Sequence, residues 1–341
     1  MQDTFEKIKI AIPSDLAKII DHDVLTFEFR KKDHSPNRNA FLNRLIVSYL
    51  EEFSSQDQEE RKRLLSLAKG CPIEGEALND YIDKILKEEG KGFRKKENYS
   101  KSLSFRPTKE SIYVIDYIEN NLLSKTTLSE YFRRLFSRYC SLPQYQREKI
   151  LFKDIYHKLE KAIQEKKKVY LSTRFNSGKR NLISPYAFAT VQEETFNYLL
   201  CKEENCCHSF RLSKIKDVIL VDEKADFSEK DLLLFERMKK YGPQYSYQSD
   251  ESEAEIILTP KGQKYFRSLY VYRPIVDRVE EDHYFFHCSL DQLEQYFSRF
   301  GSECYVVKPL RLRRYLIHFH KKAYENYGRQ NKVDADDFPE S

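Results

Sequence analysis

A chain of 341 residues that is 40% apolar and holds 23 Phe and 24 Tyr has ring area enough for two or three compact cores, which excludes a disordered chain. No apolar run nears the length of a membrane span, and the opening MQDTFEKIKI lacks the apolar stretch of a signal peptide, so a cytosolic protein without a membrane partner is expected. The net charge of +5 permits a nucleic-acid partner, and seven cysteines with no CxxC pair argue against a disulfide framework.

The first element is a strand. Ile8, Ile10 and Ile12 alternate with Lys7, Lys9 and Ala11, and the run ends at Pro13 with Ser14 as a helix N-cap candidate. A second helix follows over Asn37 to Phe53. The same order returns later, with Leu103 and Phe105 on one strand face, then Pro107, the cap Thr108, and a second helix over Thr126 to Cys140. Asn43-Arg44-Leu45 aligns with Arg133-Arg134-Leu135, and Tyr49 with Tyr139, although the prolines fall one residue out of phase. Residues 1–150 are therefore expected to be a duplicated strand-helix-helix module. Polar amphipathic helices are expected between the copies, over Gln56–Lys69 and Glu74–Glu89, with another from Gln144 to Glu165.

This pattern resembles the ribbon-helix-helix family, in which single strands pair between two copies into a ribbon able to enter a major groove. A lone strand cannot satisfy its own backbone, so the second copy is the expected partner of the first. The outward residues would be Lys7, Lys9 and Ala11 on one strand and Ser102, Ser104 and Arg106 on the other. Such a surface either reads DNA weakly or serves only for docking.

From Lys167 the pattern changes to five short strands with tight turns, one at Asn176-Ser177-Gly178, as in a small SH3-like or Sm-like barrel. Arg180 with Ile183-Ser184-Pro185-Tyr186, then Asn197-Tyr198-Leu199, then Phe210-Arg211-Leu212-Ser213-Lys214-Ile215 are similar, in order and spacing, to the motifs of WYL domains. Two residues depart from that pattern. Asn197 stands where Trp is usual, and Lys214 stands where Arg would offer a planar fork. The resemblance implies a WYL domain over 151–226 that binds single-stranded nucleic acid, RNA or DNA, through Arg180, Tyr186, Tyr198, His208, Arg211 and Lys214. Arg and Tyr suit that task, as bidentate phosphate donors and stacking rings. Tyr186 and Tyr198 could equally fill the barrel. Arg211, between two apolar residues, is expected to point outward, and His208 shares a face with Phe210 that could be core. Arg174, at the end of the first barrel strand, is a secondary candidate.

Cys201, Cys206, Cys207 and His208 crowd together, but neighbours on a strand point to opposite faces, so no metal site is expected. After a helix over Ser228 to Gly242, strands alternate with helices, with Pro260 and Pro309 opening two helices and Gly301 closing one. This order and the phrase SRFGSECYVVKPL (Ser298 to Leu310) resemble the C-terminal extension of WYL regulators, which implies an α/β, ferredoxin-like layer over 227–330 ahead of an acidic tail at 331–341. Arg311, Arg313 and Arg314 crowd the positive end of the last helix, an arrangement that calls for an anion or partner.

The fold class is thus α+β and multidomain. No Gly-rich phosphate loop, HExxH or GxSxG occurs, so neither an enzyme nor a cofactor is expected. The combination resembles the WYL accessory proteins of type VI-D CRISPR systems, which enhance an RNA-guided ribonuclease. That likeness implies a single-stranded RNA partner and the ribonuclease itself. The alternative is a WYL transcriptional regulator that binds DNA through the ribbon and senses a nucleic-acid or nucleotide ligand. A homodimer is expected in either case.

Overall fold

The structure, a computed structural model, describes residues 6–68, 75–89, 101–123, 126–174, 180–190, 196–243, 245, 253–269 and 273–330. The basic run at Lys91 to Lys96, the turn at Asn176-Ser177-Gly178, the Gly70-Cys71-Pro72 break and the 331–341 tail lie outside them. The chain divides into two compact units, residues 1–157 with 212–216, and residues 158–211 with 217–341. Among the described residues no helix is long and apolar enough to cross a membrane.

In the first unit, β1 (Ile8–Ile12) pairs antiparallel with β2 (Lys101–Phe105). The two strands form a two-stranded sheet of their own. Each copy of the repeat thus satisfies the other's backbone, as the duplication predicts. Ile10 faces Leu103, and the apolar side of the ribbon, Ile10, Ile12, Leu103 and Phe105, is buried. Lys9, Ala11 and Ser102 lie on the exposed side, with Ser104 half-buried and Lys7 and Arg106 exposed just beyond the strands.

Helices α1 (Ser14–Thr26), α2 (Arg38–Leu67) and α3 (Gly75–Glu89) follow β1, while α4 (Lys109–Asn121), α5 (Leu128–Ser141), α6 (Gln144–Leu151) and α7 (Lys153–Gln164) follow β2. Caps set several starts. Thr108 closes a box with Ser111, and Thr127 closes one with Glu130. The helix expected over 56–69 is instead the second half of α2, because Ser54-Ser55 holds no Gly or Pro to stop the first. The helix expected over 144–165 is two helices, broken where buried Phe152 leaves helical geometry.

Aligned repeat residues do comparable work. The Asn43 amide donates to the Arg106 carbonyl (3.0 Å), and its Oδ1 accepts from the Thr108 amide (3.1 Å) and the Ser111 hydroxyl. Arg133, its counterpart, donates from Nε to the Ala11 carbonyl at 3.0 Å. Each copy's second helix thereby holds the strand end of the other copy. Beneath them lies Asp23, fully buried. Its carboxylate accepts Arg147 Nε (2.7 Å), Arg147 Nη2 (2.9 Å) and the Tyr139 hydroxyl (2.8 Å), joining α1, α5 and α6. Such a pair adds little over well-packed apolar residues, but breaking it leaves a buried charge.

The second unit holds two sheets. The first has the order β6-β5-β4-β3-β7. It is formed by β3 (Lys167–Thr173), β4 (Asn181–Ala189), β5 (Tyr198–Glu203), β6 (Cys206–Arg211) and β7 (Ile215–Lys224), while the short 3-10 turn at Leu212–Lys214 and the first two residues of β7 count with the first unit. These match the five expected strands to within a few residues. Helix α8 (Glu229–Tyr241), capped by Ser228 and Asp231, lays Leu234, Phe235 and Met238 over Ala189 and Leu200.

The second sheet has the order β11-β8-β10-β9. Its elements run β8 (Ala254–Leu258), α9 (Pro260–Ser268), β9 (Arg278–Glu280), β10 (His283–Phe286), α10 (Leu290–Phe297), β11 (Cys304–Lys308) and α11 (Leu310–Gln330). All its strand pairs are antiparallel. Strand β9 had no counterpart among the expected elements, since three exposed residues cannot show a period. A cluster of Phe286, Tyr296, Phe297 and Phe300 forms the core, closed by Leu312 and Leu316 of α11.

Candidate nucleic-acid interface

The β5–β6 hairpin carries three of the six nominated residues, Tyr198, His208 and Arg211. Its register pairs Tyr198 with Arg211, Leu199 with Phe210, Leu200 with Ser209 and Cys201 with His208. Opposed residues share a face, so Leu199 and Cys201 lie with Phe210 and His208, while Tyr198 and Leu200 lie with Arg211 and Ser209. Leu199 and Cys201 are fully buried, yet His208 is exposed and Phe210 half-buried, because β6 is the outermost strand and has no neighbour beyond it. Their rings sit 6.3 Å apart, tilted by 40°.

Arg211 lies over a ring. Its guanidinium carbon lies 3.2 Å from the centre of the Phe196 ring. The ring shields the guanidinium face, and the Nε atom is itself buried. Phe196 was not among the expected site residues. Its signal is nonetheless in the sequence, two places before Tyr198 and therefore on Arg211's side of the strand.

Arg180 is exposed at the start of β4 and faces Asp217 at 3.7 Å, with both side chains largely in solvent. Such a pair holds weakly, so the guanidinium can be taken up by a phosphate. Arg174 is half-buried at the end of β3.

The two tyrosines sit differently. Tyr198 is 7% exposed and belongs to the sheet's buried set. Tyr186 stacks on Phe235 of α8 with ring centres 4.5 Å apart and 12° between planes, and its hydroxyl donates to Glu236 at 3.0 Å. Lys239 Nζ lies 4.7 Å from the same ring. Asn197 is also buried, so that position serves packing rather than an open stacking surface.

Lys214 falls in the first unit, where its ammonium pairs with Glu28, and burial lowers its pKa below the usual lysine range. Next to it, Ser213 donates its amide to buried Glu148 at 3.0 Å. The turn after β6 is thus tied down by carboxylates. Of the six nominated residues the structure brings Arg180 and His208 to exposed positions on the second unit, leaves Arg211 half-buried on Phe196, and places Tyr186, Tyr198 and Lys214 in packing or ion-pair roles.

The cysteine cluster does not converge. Cys201 is buried on one face of β5, Cys206 is exposed, and Cys207 turns to α8 with its sulfur 3.7 Å from an Asp231 oxygen. Burial, then Asp231, pushes the Cys207 thiol up to about 12. Burial works to raise the Asp231 carboxyl as well, but the hydrogen bonds from Lys202 and Ser228 outweigh it and hold the group below its ordinary value. Among the described residues no group of three or more His, Cys, Asp or Glu is placed to hold a metal ion.

The three terminal arginines separate. Arg313 donates from Nε to the Val306 carbonyl at 2.6 Å and from Nη2 to that of Val307. Both carbonyls lie where the register of β11 against β8 shifts, between Val306 and Lys308, and Arg313 bonds them there. Arg311 and Arg314 are exposed. A cavity of about 230 Å3 in the first unit is lined by Phe53, Asp57, Leu86, Arg134 and Arg138, with Arg134 paired to Asp57, and none of the nominated residues lines it.

The fold therefore defines an α+β protein with several antiparallel sheets. No family model and no curated protein matches the sequence. Among solved structures, it is similar to the crystal structure of a CRISPR Cas-related protein. The likeness has a TM-score of 0.67 at 17% identity and covers 98% of this chain and 96% of that one, so the two share a fold along their whole length. A partial likeness to the proteasome accessory factor B/C (PafBC) of Arthrobacter aurescens covers 66% of this chain and 37% of that one at 13% identity, with a TM-score of 0.24, too low to indicate a shared fold.

Proposed function

We propose that the chain is a WYL-domain accessory protein that binds single-stranded RNA and enhances a type VI-D CRISPR RNA-guided ribonuclease, and that it is not itself an enzyme. The observation that carries this reading is the end-to-end likeness to a CRISPR Cas-related protein. The five-stranded sheet with its 3-10 turn before the last strand is then the SH3-like WYL barrel. The duplicated strand-helix-helix unit is the ribbon-helix-helix module, and the βαββαβ order of the last sheet is ferredoxin-like. Arg180 and Arg211 carry the phosphates, and His208 and Phe210, on the face of β6 opposite to Arg211, offer rings for bases.

A second reading, a DNA-binding regulator, is favoured by one feature, the exposed Lys7, Lys9 and Arg106 along a ribbon that is fully formed. The outward serines opposite Lys9 and Ala11 offer fewer base-edge contacts, so RNA is preferred. Both readings expect a homodimer, with β9 and β11 as the outer strands of the last sheet. Light scattering should give a mass near twice 40.8 kDa.

The test is fluorescence anisotropy on an unstructured RNA, its DNA analogue and a duplex, joined to an RNA-cleavage assay with a type VI-D ribonuclease. Single strands should bind tighter than duplex, and cleavage should accelerate when the chain is added. Tight duplex-DNA binding that requires Lys7 and Lys9 and ignores Arg180 and Arg211 would establish the regulator instead.

A further inference from the structure

Helix α11 has a face that the last sheet does not use. Its inner side is Leu312 and Leu316, both buried, with Arg313, His320 and Ala323 half-buried beside them. At 100° per residue, Arg311, Arg314, His318, Lys321 and Lys322 fall within one arc of about 100° on the opposite side. All five are exposed, and residues 310–328 contain one acid, Glu325. Arg314, Lys321 and Lys322 form no ion pair with a described residue, while Arg311 faces Glu294 of α10 at a distance where the two charges interact. Alongside the stripe, Tyr315 and Phe319 stack on each other with centres 6.2 Å apart and 21° between planes, and both rings are exposed.

Two costs coincide here. Like charges three and four residues apart repel along a helix. Aromatic rings in water forfeit the burial that their area would otherwise give. An anionic chain with flat, unstacked bases relieves both costs at once, whereas an acidic protein relieves the first alone and a duplex keeps its bases to itself. From Arg311 to Lys322 the stripe runs about 16 Å along the helix axis, room for several successive phosphates.

We infer that α11 is a second track for single-stranded nucleic acid, in which Arg311, Arg314, Lys321 and Lys322 hold phosphates and the Tyr315–Phe319 ladder stacks a base. The inference rests on the single-strand reading above and extends it to a site that the WYL motifs do not include.

The test uses the full-length chain and a labelled oligouridine, titrated at several salt concentrations. One variant carries Arg314→Gln, Lys321→Gln and Lys322→Gln together, and a second carries Tyr315→Ala with Phe319→Ala. All five positions are exposed, so circular dichroism and melting should stay as in the wild type. The charge variant should flatten the log–log salt slope by about 2, since each phosphate that a cation neutralises adds roughly 0.7 to it. The ring variant should leave the slope unchanged and weaken binding by about five- to a hundredfold. Wild-type affinity and slope in both variants would overturn the track while leaving the single-strand reading standing, even if the charge variant loses its hold on phosphatidylserine vesicles. A wild-type chain that fails to bind oligouridine at all overturns that reading, and the track with it.

Discussion

The ring of Tyr139 packs edge-on against that of Tyr49, with centres 6.2 Å apart and planes at 66°. The two tyrosines are counterparts in the internal repeat, and both are fully buried. Equivalent residues touch each other only near an axis that exchanges the two copies, and Ile10 facing Leu103 marks the same axis in the ribbon. The module is thus a dimer-like arrangement made by one chain.

That axis passes through the core of the first unit, so the ribbon should be sensitive to inward changes only. Ile10→Ala should cost about 2–5 kcal/mol, because Ile10 is fully buried against the opposite strand. Lys9→Ala, one residue along and outward, should change stability by no more than about 0.5 kcal/mol. Urea denaturation of the two variants checks the contrast.

Arg147→Ala should lower stability by about 3–5 kcal/mol, since it strands the Asp23 carboxylate in the interior. The double change Asp23→Leu with Arg147→Met removes both charges and should recover much of that loss. A double variant no more stable than Arg147→Ala would mean that the pair also fixes the packing of α1, α5 and α6.

Alkaline pH should weaken the first unit. Burial, then Asp23, pushes the Cys140 thiol up to about 12, and burial, then Glu52, pushes the Tyr49 phenol up to about 12. The folded chain keeps both groups protonated where the unfolded chain releases them. Their contribution is therefore complete below pH 9 and is lost as pH rises toward 12, at up to about 1.4 kcal/mol per pH unit for each group. Cys140→Ala should flatten the fall in melting temperature between pH 9 and 11.

In the five-stranded sheet, Arg180→Ala should leave folding unchanged and, on the proposed function, weaken RNA binding by on the order of 1.5–3 kcal/mol. Tyr186→Phe removes the hydroxyl from Glu236 but leaves the ring on Phe235, and should hardly alter RNA affinity. Anisotropy of both variants beside wild type separates the accessible charge from the packed ring.

Arg313→Ala should lower stability by on the order of 1.5–3 kcal/mol by orphaning the Val306 and Val307 carbonyls. Arg311→Ala, at an exposed position, should stay within about 0.5 kcal/mol of wild type. Thermal melts of the two compare them directly.

All strands but β9 and most helices were legible because period, proline and cap residues act locally: β1 stops before Pro13, and Thr108 caps α4. The ribbon pairing was legible for a different reason, since a single strand between helices must find a partner. What escaped depends on distant contacts. Nothing near Tyr186 announces that Phe235 will cover it, or near Lys214 that Glu28 will neutralise it. The exposure of His208 follows from β6 being outermost, a property of strand order rather than of the residues around it. The basic stripe of α11 was only half seen. Arg311 and Arg314 stood out at the helix start, but Lys321 and Lys322 join them only when the helix is wound.

A ribbon assembled from one gene product is released from palindromy. When two identical chains supply the strands, every outward residue appears twice and the surface must be its own mirror in rotation. Here lysine and alanine occupy one edge and serines the other, each free to drift without altering its twin. Whatever meets this ribbon meets a polar object with a head and a tail, and its assembly does not depend on how many copies the cell holds.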